Sequence, residues 1–426
     1  MIGVLLFVLV GLAVPRANVW LAGTGVTGIV LFVAMVWHVP MFWAVIALAI
    51  AAGALASRRL ARRRPAAESG NGTETLPSQP ARTPALHLPD VFIALAIAFL
   101  LFTSTILPLS DYDGRAFWML KAKAIAHEQA IDGPFFQGRT AATPRNEYPL
   151  LMPLDAAVVL TLAGDLDDRH TRWFFAFFAV AFALELRRRL GGWIAATFLW
   201  LPQILIDPSG ALSAYVDIAL GAFVACAFFE LIENGAPIRF GFWVACVALT
   251  KNEGLPLALL LLVAGAFVFR KRIAIALVLP VIAIAHLVIW RARIERSDEE
   301  NFARTMLDVP SHIERFAGSI GRLFANVISL EDWGLVMILI ATAWIFARRG
   351  HALAAIVIVP MLVLYATAVA VSPWNLDTMR GLAPRVLTHL LGPLFFVLAE
   401  RPVADVGIVW PALRLGRSTR PPSANR

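Results

Sequence analysis

Long uninterrupted apolar runs alternate with short polar stretches along this chain. The runs lie near 1–14, 18–37, 41–57, 90–108, 170–186, 191–207, 214–232, 240–250, 255–269, 273–290, 333–347, 351–371 and 385–399. Most hold roughly 15 to 20 residues, enough to cross a ~30 Å hydrocarbon core alone or with neighbours. Lipid offers the backbone no hydrogen bonds, so only helices or closed barrels cross it. These runs are continuously apolar rather than alternating, which selects helices. The pattern predicts an all-α, polytopic transmembrane helical bundle of about thirteen spans.

Composition agrees. Hydrophobic residues make up 59% of the chain and charged residues 15%, with a mean hydropathy of +0.73. Soluble domains carry about a quarter charged residues. The net charge of +8 does not imply nucleic acid, because the basic clusters sit at span ends. Arg58–Arg64, Arg187–Arg189, Arg270–Arg272, Arg348–Arg349 and the tail after Arg414 all fall on one side of a single alternating path. Basic span ends mark the cytoplasmic face, so the expected location is the cytoplasmic (inner) membrane. No basic stretch and no small-residue cleavage site frame the first run, so a multi-pass chain without a cleaved signal is expected. Cys226 and Cys246 lie inside spans and read as small buried hydrophobes.

This path divides the chain into a three-span segment (1–57), a basic, Pro-, Ser- and Thr-rich cytoplasmic linker (58–88), a membrane module (89–400) and a cytoplasmic tail (401–426). It also leaves three outward loops, near 109–169, 291–332 and 372–384. The first two are too long to be simple connectors, and such loops often carry function.

The first loop opens with Ser110-Asp111-Tyr112-Asp113-Gly114-Arg115 and continues as a helical stretch. That stretch reads as an interfacial helix anchored by Trp118. Lys121 and Lys123 are two residues apart, so at most one faces a given pocket. Arg145-Asn146-Glu147-Tyr148-Pro149 then leads into a short apolar segment containing Asp155, read as a second interfacial helix. Asp111 and Asp113 have an ordinary role open to them, since an Asp before a helix caps it. Their position at the membrane surface, beside Arg115, Lys121, Arg145 and Glu147, makes them candidate catalytic carboxylates as well.

Two further motifs place charge against apolar surroundings. Tyr215-Val216-Asp217 opens a span on the outward side, and Thr250-Lys251-Asn252-Glu253-Gly254 interrupts a run flanked by Arg239 and Arg270. The half-span before Lys251 covers roughly 16 Å of helix, too short to cross alone. Ionisable groups at such depth line a wet cavity or pair with each other. A structural pair of Lys251 with Glu253 or Asp217 is the alternative to a binding site. The second loop reads as a solvated or interfacial helical pair in which Arg315 and Arg322 share a face. Where the chain returns to the membrane, Arg385 and His389 are four apart and share a face, which suits either lipid headgroups or a bound phosphate. There is no Walker loop, dinucleotide-binding glycine pattern, HExxH or Cys/His zinc spacing.

From about residue 90 to 400 the chain resembles the GT-C superfamily of lipid-linked-sugar glycosyltransferases, which includes protein O-mannosyltransferases and the lipid A aminoarabinose transferase. The resemblance rests on the DYDG opening, EYPLLMP, SAYVD, the TKNEG break and the arginine-bearing return at the last span. It implies a polyprenyl-phosphate sugar donor, a cell-envelope acceptor and a catalytic carboxylate in the first outward loop. Carried onto this chain, the base is Asp113, with Asp111 second. Fixed cations would steady the departing phosphate, and Lys251, Arg145 and Arg385 are the candidates. Lys121, Glu147, Tyr148, Asp217, Glu253 and His389 complete the expected substrate-binding set. Four carboxylates could also hold a hard divalent ion, although no cofactor is required. Expected partners are the lipid-linked donor, the acceptor and membrane lipids, with no nucleic acid. A transporter or flippase is the competing expectation, because transporter sites favour interrupted helices. A third is a non-catalytic membrane scaffold.

Overall fold

The computed structural model describes residues 2–14, 17–63, 87–109, 112–138, 145–294, 313–345, 349–371 and 382–399. Among these residues every regular element is helical. The helices are α1 (Ile2–Leu12), α2 (Val19–Val36), α3 (Met41–Arg63), α4 (Leu88–Ile106), α5 (Leu120–Glu128), α6 (Pro134–Gln137), α7 (Leu151–Ala163), α8 (Arg172–Leu190), α9 (Gly192–Leu199), α10 (Pro202–Leu205) and α11 (Asp217–Ile232). They continue as α12 (Pro237–Thr250), α13 (Gly254–Phe269), α14 (Ile273–Arg291), α15 (Ile313–Val327), α16 (Leu330–Trp333), α17 (Val336–Ile345), α18 (Arg349–Val371), α19 (Leu382–Thr388) and α20 (Leu391–Leu398). A π-helical turn, Gly114–Met119, runs directly into α5.

Five segments are long and apolar enough to cross a membrane: Val19–Val36, Met41–Arg59, Leu88–Ile106, Gly254–Arg291 and His351–Val371. The other predicted runs are also helical, but shorter or more charged. The run at 191–207 is split into α9 and α10 at Pro202, and the last run into α19 and α20. Proline lacks the amide that would continue a helix and suits its first turn, and it opens α12 at Pro237 in the same way.

The core gathers on α11, whose residues are buried along its whole length. Helices α8, α12 and α20 surround it. One turn past Asp217, a Cβ on Gly221 would lie 2.5 Å from the carbonyl oxygen of Thr388. Only glycine admits α19 and its following turn this close to α11.

One predicted surface helix, and the expected anchor of the other, belong to the interior instead. Every residue of α7 from Leu151 to Leu160 is buried, against α5, α2 and α1. Trp118 is 3% exposed and packs on Tyr148, so it is not an interfacial anchor. Helix α7 is apolar enough to sit in either place, and neighbouring helices supply a more complete burial than the headgroup region.

The bundle has two charged poles. At one, Arg187 meets Asp90, Arg189 and Arg239 meet Glu230, and Arg272 meets Asn234. At the other lie Asp217, at the start of α11, and Lys251, at the end of α12. Thirteen helical residues separate Asp217 from Glu230, or about 20 Å at 1.5 Å per residue.

Candidate functional site

Asp217 is the hub of the second pole. Its side chain is 2% exposed. Lys251 Nζ lies 2.9 Å and His389 Nε2 2.6 Å from its Oδ1, while Arg385 Nε lies 3.2 Å from Oδ2. Three elements deliver these donors. Lys251 follows the last residue of α12, where the backbone turns extended (φ −156°, ψ 162°) and frees the side chain from the helix. Arg385 lies on α19 and His389 on the turn after it. An isolated carboxylate in low dielectric is costly, and here two cations and an imidazole surround it.

Arg385 reaches further. Its Nη1 donates to Asp113 Oδ2 at 3.0 Å, and its guanidinium lies 3.9 Å from the centre of the Tyr215 ring. One arginine therefore grips the DYDG and SAYVD carboxylates together. Backbone packing brings them there, since a Cβ on Gly114 would lie 3.0 Å from Ala214 Cβ. The π-helical turn beginning at Gly114 changes the register just after Asp113, a distortion common at functional sites. Asp113 keeps 21% of its side chain exposed, against 2% for Asp217. The first is open to solvent. The second is occupied on both oxygens by its three partners.

His389 is fully buried between Asp217 and the Tyr365 hydroxyl, which lies 2.6 Å from Nδ1. The consistent assignment has Tyr365 donating to Nδ1 and Nε2–H donating to Asp217. Glu253 faces Lys251 at 3.2 Å and is 27% exposed.

A second cluster sits on the segment between α4 and α7. Lys121 is buried and donates to the carbonyl oxygen of Arg145, between the rings of Trp118 and Tyr148. Burial pulls its pKa down to about 7; Glu147 opposes that shift, and Arg145 and Arg291 add to it. Arg145 lies over Phe117 and Tyr148 and holds a left-handed backbone, φ 62°. Lys123 points elsewhere and pairs with Asp168 at 2.7 Å. Arg291 joins the two clusters: its Nε donates to the Glu147 carbonyl at 2.8 Å, and its Nη2 to Asn252 Oδ1, in the turn that carries Lys251.

Eight of the eleven predicted site residues are thus placed by direct contacts in these two clusters: Asp113, Asp217, Lys251, Glu253, Arg385 and His389 at the hub, Lys121 and Arg145 between α4 and α7. Tyr148 joins Lys121 and Arg145 through its ring. Glu147 sits beside Lys121 and is held through its backbone. Asp111 lies outside the described residues. Tyr365 and Arg291 were not expected. A lone tyrosine inside an otherwise apolar span was the available signal for Tyr365. Arg291 has the form of an ordinary basic span end.

Among the described residues, no three carboxylate, histidine or cysteine side chains are grouped to hold a metal ion. At the hub the carboxylates already have cationic partners. A cavity of about 540 Å³, lined by His87, Asp90, Arg187 and Trp193, lies at the opposite pole. It adjoins the other end of α4 from Asp113 and takes no part in the hub. No known protein family, characterised protein or solved structure matches this chain.

Proposed function

We propose that the Asp113–Arg385–Asp217–Lys251 pole is the active site of a GT-C-type membrane glycosyltransferase. It moves a sugar from a polyprenyl-phosphate donor to a cell-envelope acceptor on the outer face of the cytoplasmic membrane. The full complement of about thirteen spans belongs to this reading. The observation that carries it is the double grip of Arg385, which holds a partly exposed carboxylate beside the buried Asp217–Lys251 pair at the pole away from the basic clusters.

The chemistry needs few parts. Asp113 takes the proton of the acceptor hydroxyl as its oxygen attacks the anomeric carbon. The bond from that carbon to the lipid-phosphate oxygen breaks, and its electron pair leaves with the phosphate. Arg385, Lys251 and Arg145 stabilise that growing charge. A single displacement inverts the anomeric centre. Glu147, Tyr148 and Glu253 supply groups for sugar or acceptor hydroxyls. A divalent ion, should one take part, would need Asp113 or Glu253, because Asp217 is already saturated.

Mass spectrometry of cell-envelope glycans and lipids, with and without the protein, tests the reading. A sugar modification should vanish without the protein and return with the wild-type chain, but not with Asp113→Asn inserted at equal level. If Asp113→Asn and Asp111→Asn both restore it, the catalytic assignment fails.

A transporter is the second reading, favoured by the helix break at Lys251. It predicts solute movement in reconstituted vesicles with no new glycosidic bond.

A further inference from the structure

Helix α15 (Ile313–Val327) leaves a row of large apolar side chains exposed. Ile313, Ile320, Phe324 and Ile328 recur along one face and are 63%, 48%, 64% and 48% exposed. Ser319 and Asn326 lie on the other face and are buried. Their polarity is satisfied within the helix: Ser319 Oγ donates to the Arg315 carbonyl and Asn326 Nδ2 to the Arg322 carbonyl. The inward face packs through Phe316 and Leu323 on Leu362 and Ala366 of α18, and it also meets α19.

Water cannot be what the apolar row is built to face. A row of that size left in water would be strongly unfavourable, at about 1.5–3 kcal/mol for each large side chain. The surface beside it is continuous with the lipid-facing belt: Val359 and Val363 on the neighbouring span α18 are just as exposed, as are Leu335 and Leu339 next to it in the chain. Yet fifteen residues make only about 22 Å of helix, too short to span. The level is also defined. Leu362 and Ala366 flank Tyr365, the residue that binds His389 in the hub.

We infer that α15 is a non-spanning helix inserted in the outer leaflet, with its Ile313–Ile320–Phe324–Ile328 row among the acyl chains, where it forms the lipid-side wall of the hub at the level of Tyr365. The occupant of that row is the phospholipid bilayer, not a protein partner. Interfacial helices of this kind bind by buried apolar area.

The test uses the full chain in phosphatidylcholine/phosphatidylglycerol nanodiscs. Single cysteines replace Ile320, Phe324 or, as a water-exposed reference, Asp165, in a background with Cys226 and Cys246 changed to Ala. Each carries a small environment-sensitive fluorophore. Nitroxide-labelled lipid should quench labels at 320 and 324 several-fold more than at 165, and aqueous iodide should show the reverse order. Labels at 320 and 324 that respond to iodide as the Asp165 site does, and ignore nitroxide lipid, would overturn the insertion. Monodisperse elution and an unchanged thermal midpoint for each labelled protein guard against misfolding. The outcome does not depend on whether the chain transfers sugar.

Discussion

Lys251 Nζ and Asp217 Oδ1 lie 2.9 Å apart, with 4% and 2% of their side chains exposed, although 34 positions separate them in the chain. The helix break that opens the TKNEG turn exists where a lysine must leave its helix axis to reach a buried carboxylate. This pair joins α11 to α12, and Arg385 extends it to α19 and to Asp113, just before the π-helical turn.

Removing the carboxylate should therefore be far worse than removing the whole group. Asp217→Asn leaves the buried Lys251 with only the part-exposed Glu253, and Arg385 with only Asp113, as counter-charge. Breaking such a pair costs about 3–5 kcal/mol, whereas replacing both members by apolar groups is often neutral. The thermal midpoint in detergent should fall steeply for Asp217→Asn and partly recover in Asp217→Leu/Lys251→Met. A midpoint equal to wild type in the single variant would show that the pair does not hold the fold.

Asp113 should behave in the opposite way. Its part-exposed side chain has one partner at the hub, so Asp113→Asn should change the thermal midpoint little. On the proposed glycosyl-transfer reading, sugar transfer should fall by about 10²–10⁴, the usual contribution of a positioned general base. Wild-type transfer rates by Asp113→Asn would remove it from the mechanism.

Asp155 is fully buried on α7, and neither carboxyl oxygen has a partner among the described residues. An unsatisfied buried polar group costs about 1–3 kcal/mol. Asp155→Leu, close in volume, should raise the thermal midpoint. A clear drop would show that the carboxyl has a partner or a task.

Lys121 gives the stability a pH dependence of known sign. Its pKa falls from 10.5 in the unfolded chain to about 7 in the folded one, chiefly through burial. The unfolded chain then binds more protons between those values, so stability rises with pH across that window. The penalty is complete below about 7 and gone above 10.5. Lys121→Met should flatten the slope of thermal midpoint against pH between about 7 and 10 relative to wild type. Parallel slopes for the two proteins would mean that Lys121 is not the titrating group.

The apolar pattern located the long helices of the bundle, because unbroken hydrophobicity over a helix's length has few other outcomes and basic clusters mark the ends. It also marked Lys251 and Asp217, since charge inside an apolar run stands out. The pairing of Lys251 with Asp217 and Glu253 was among the expectations and is what the structure shows, but depth and the longer-range partners were not legible. Trp118 and α7 read as interfacial yet are core, because an apolar segment of that length suits a bilayer surface and a protein interior equally well. Arg291 carried no distinguishing local pattern, and the lone Tyr365 in its apolar span did not say what it would meet. Asp217 draws its partners from positions 251, 385 and 389, and Arg385 reaches back to 113. Hydrophobic periodicity is a local property and survives in one dimension. The pairing of buried charges is decided by which helix ends the packing brings within about 3 Å of one another, the range of a hydrogen bond, and that is set only in three dimensions.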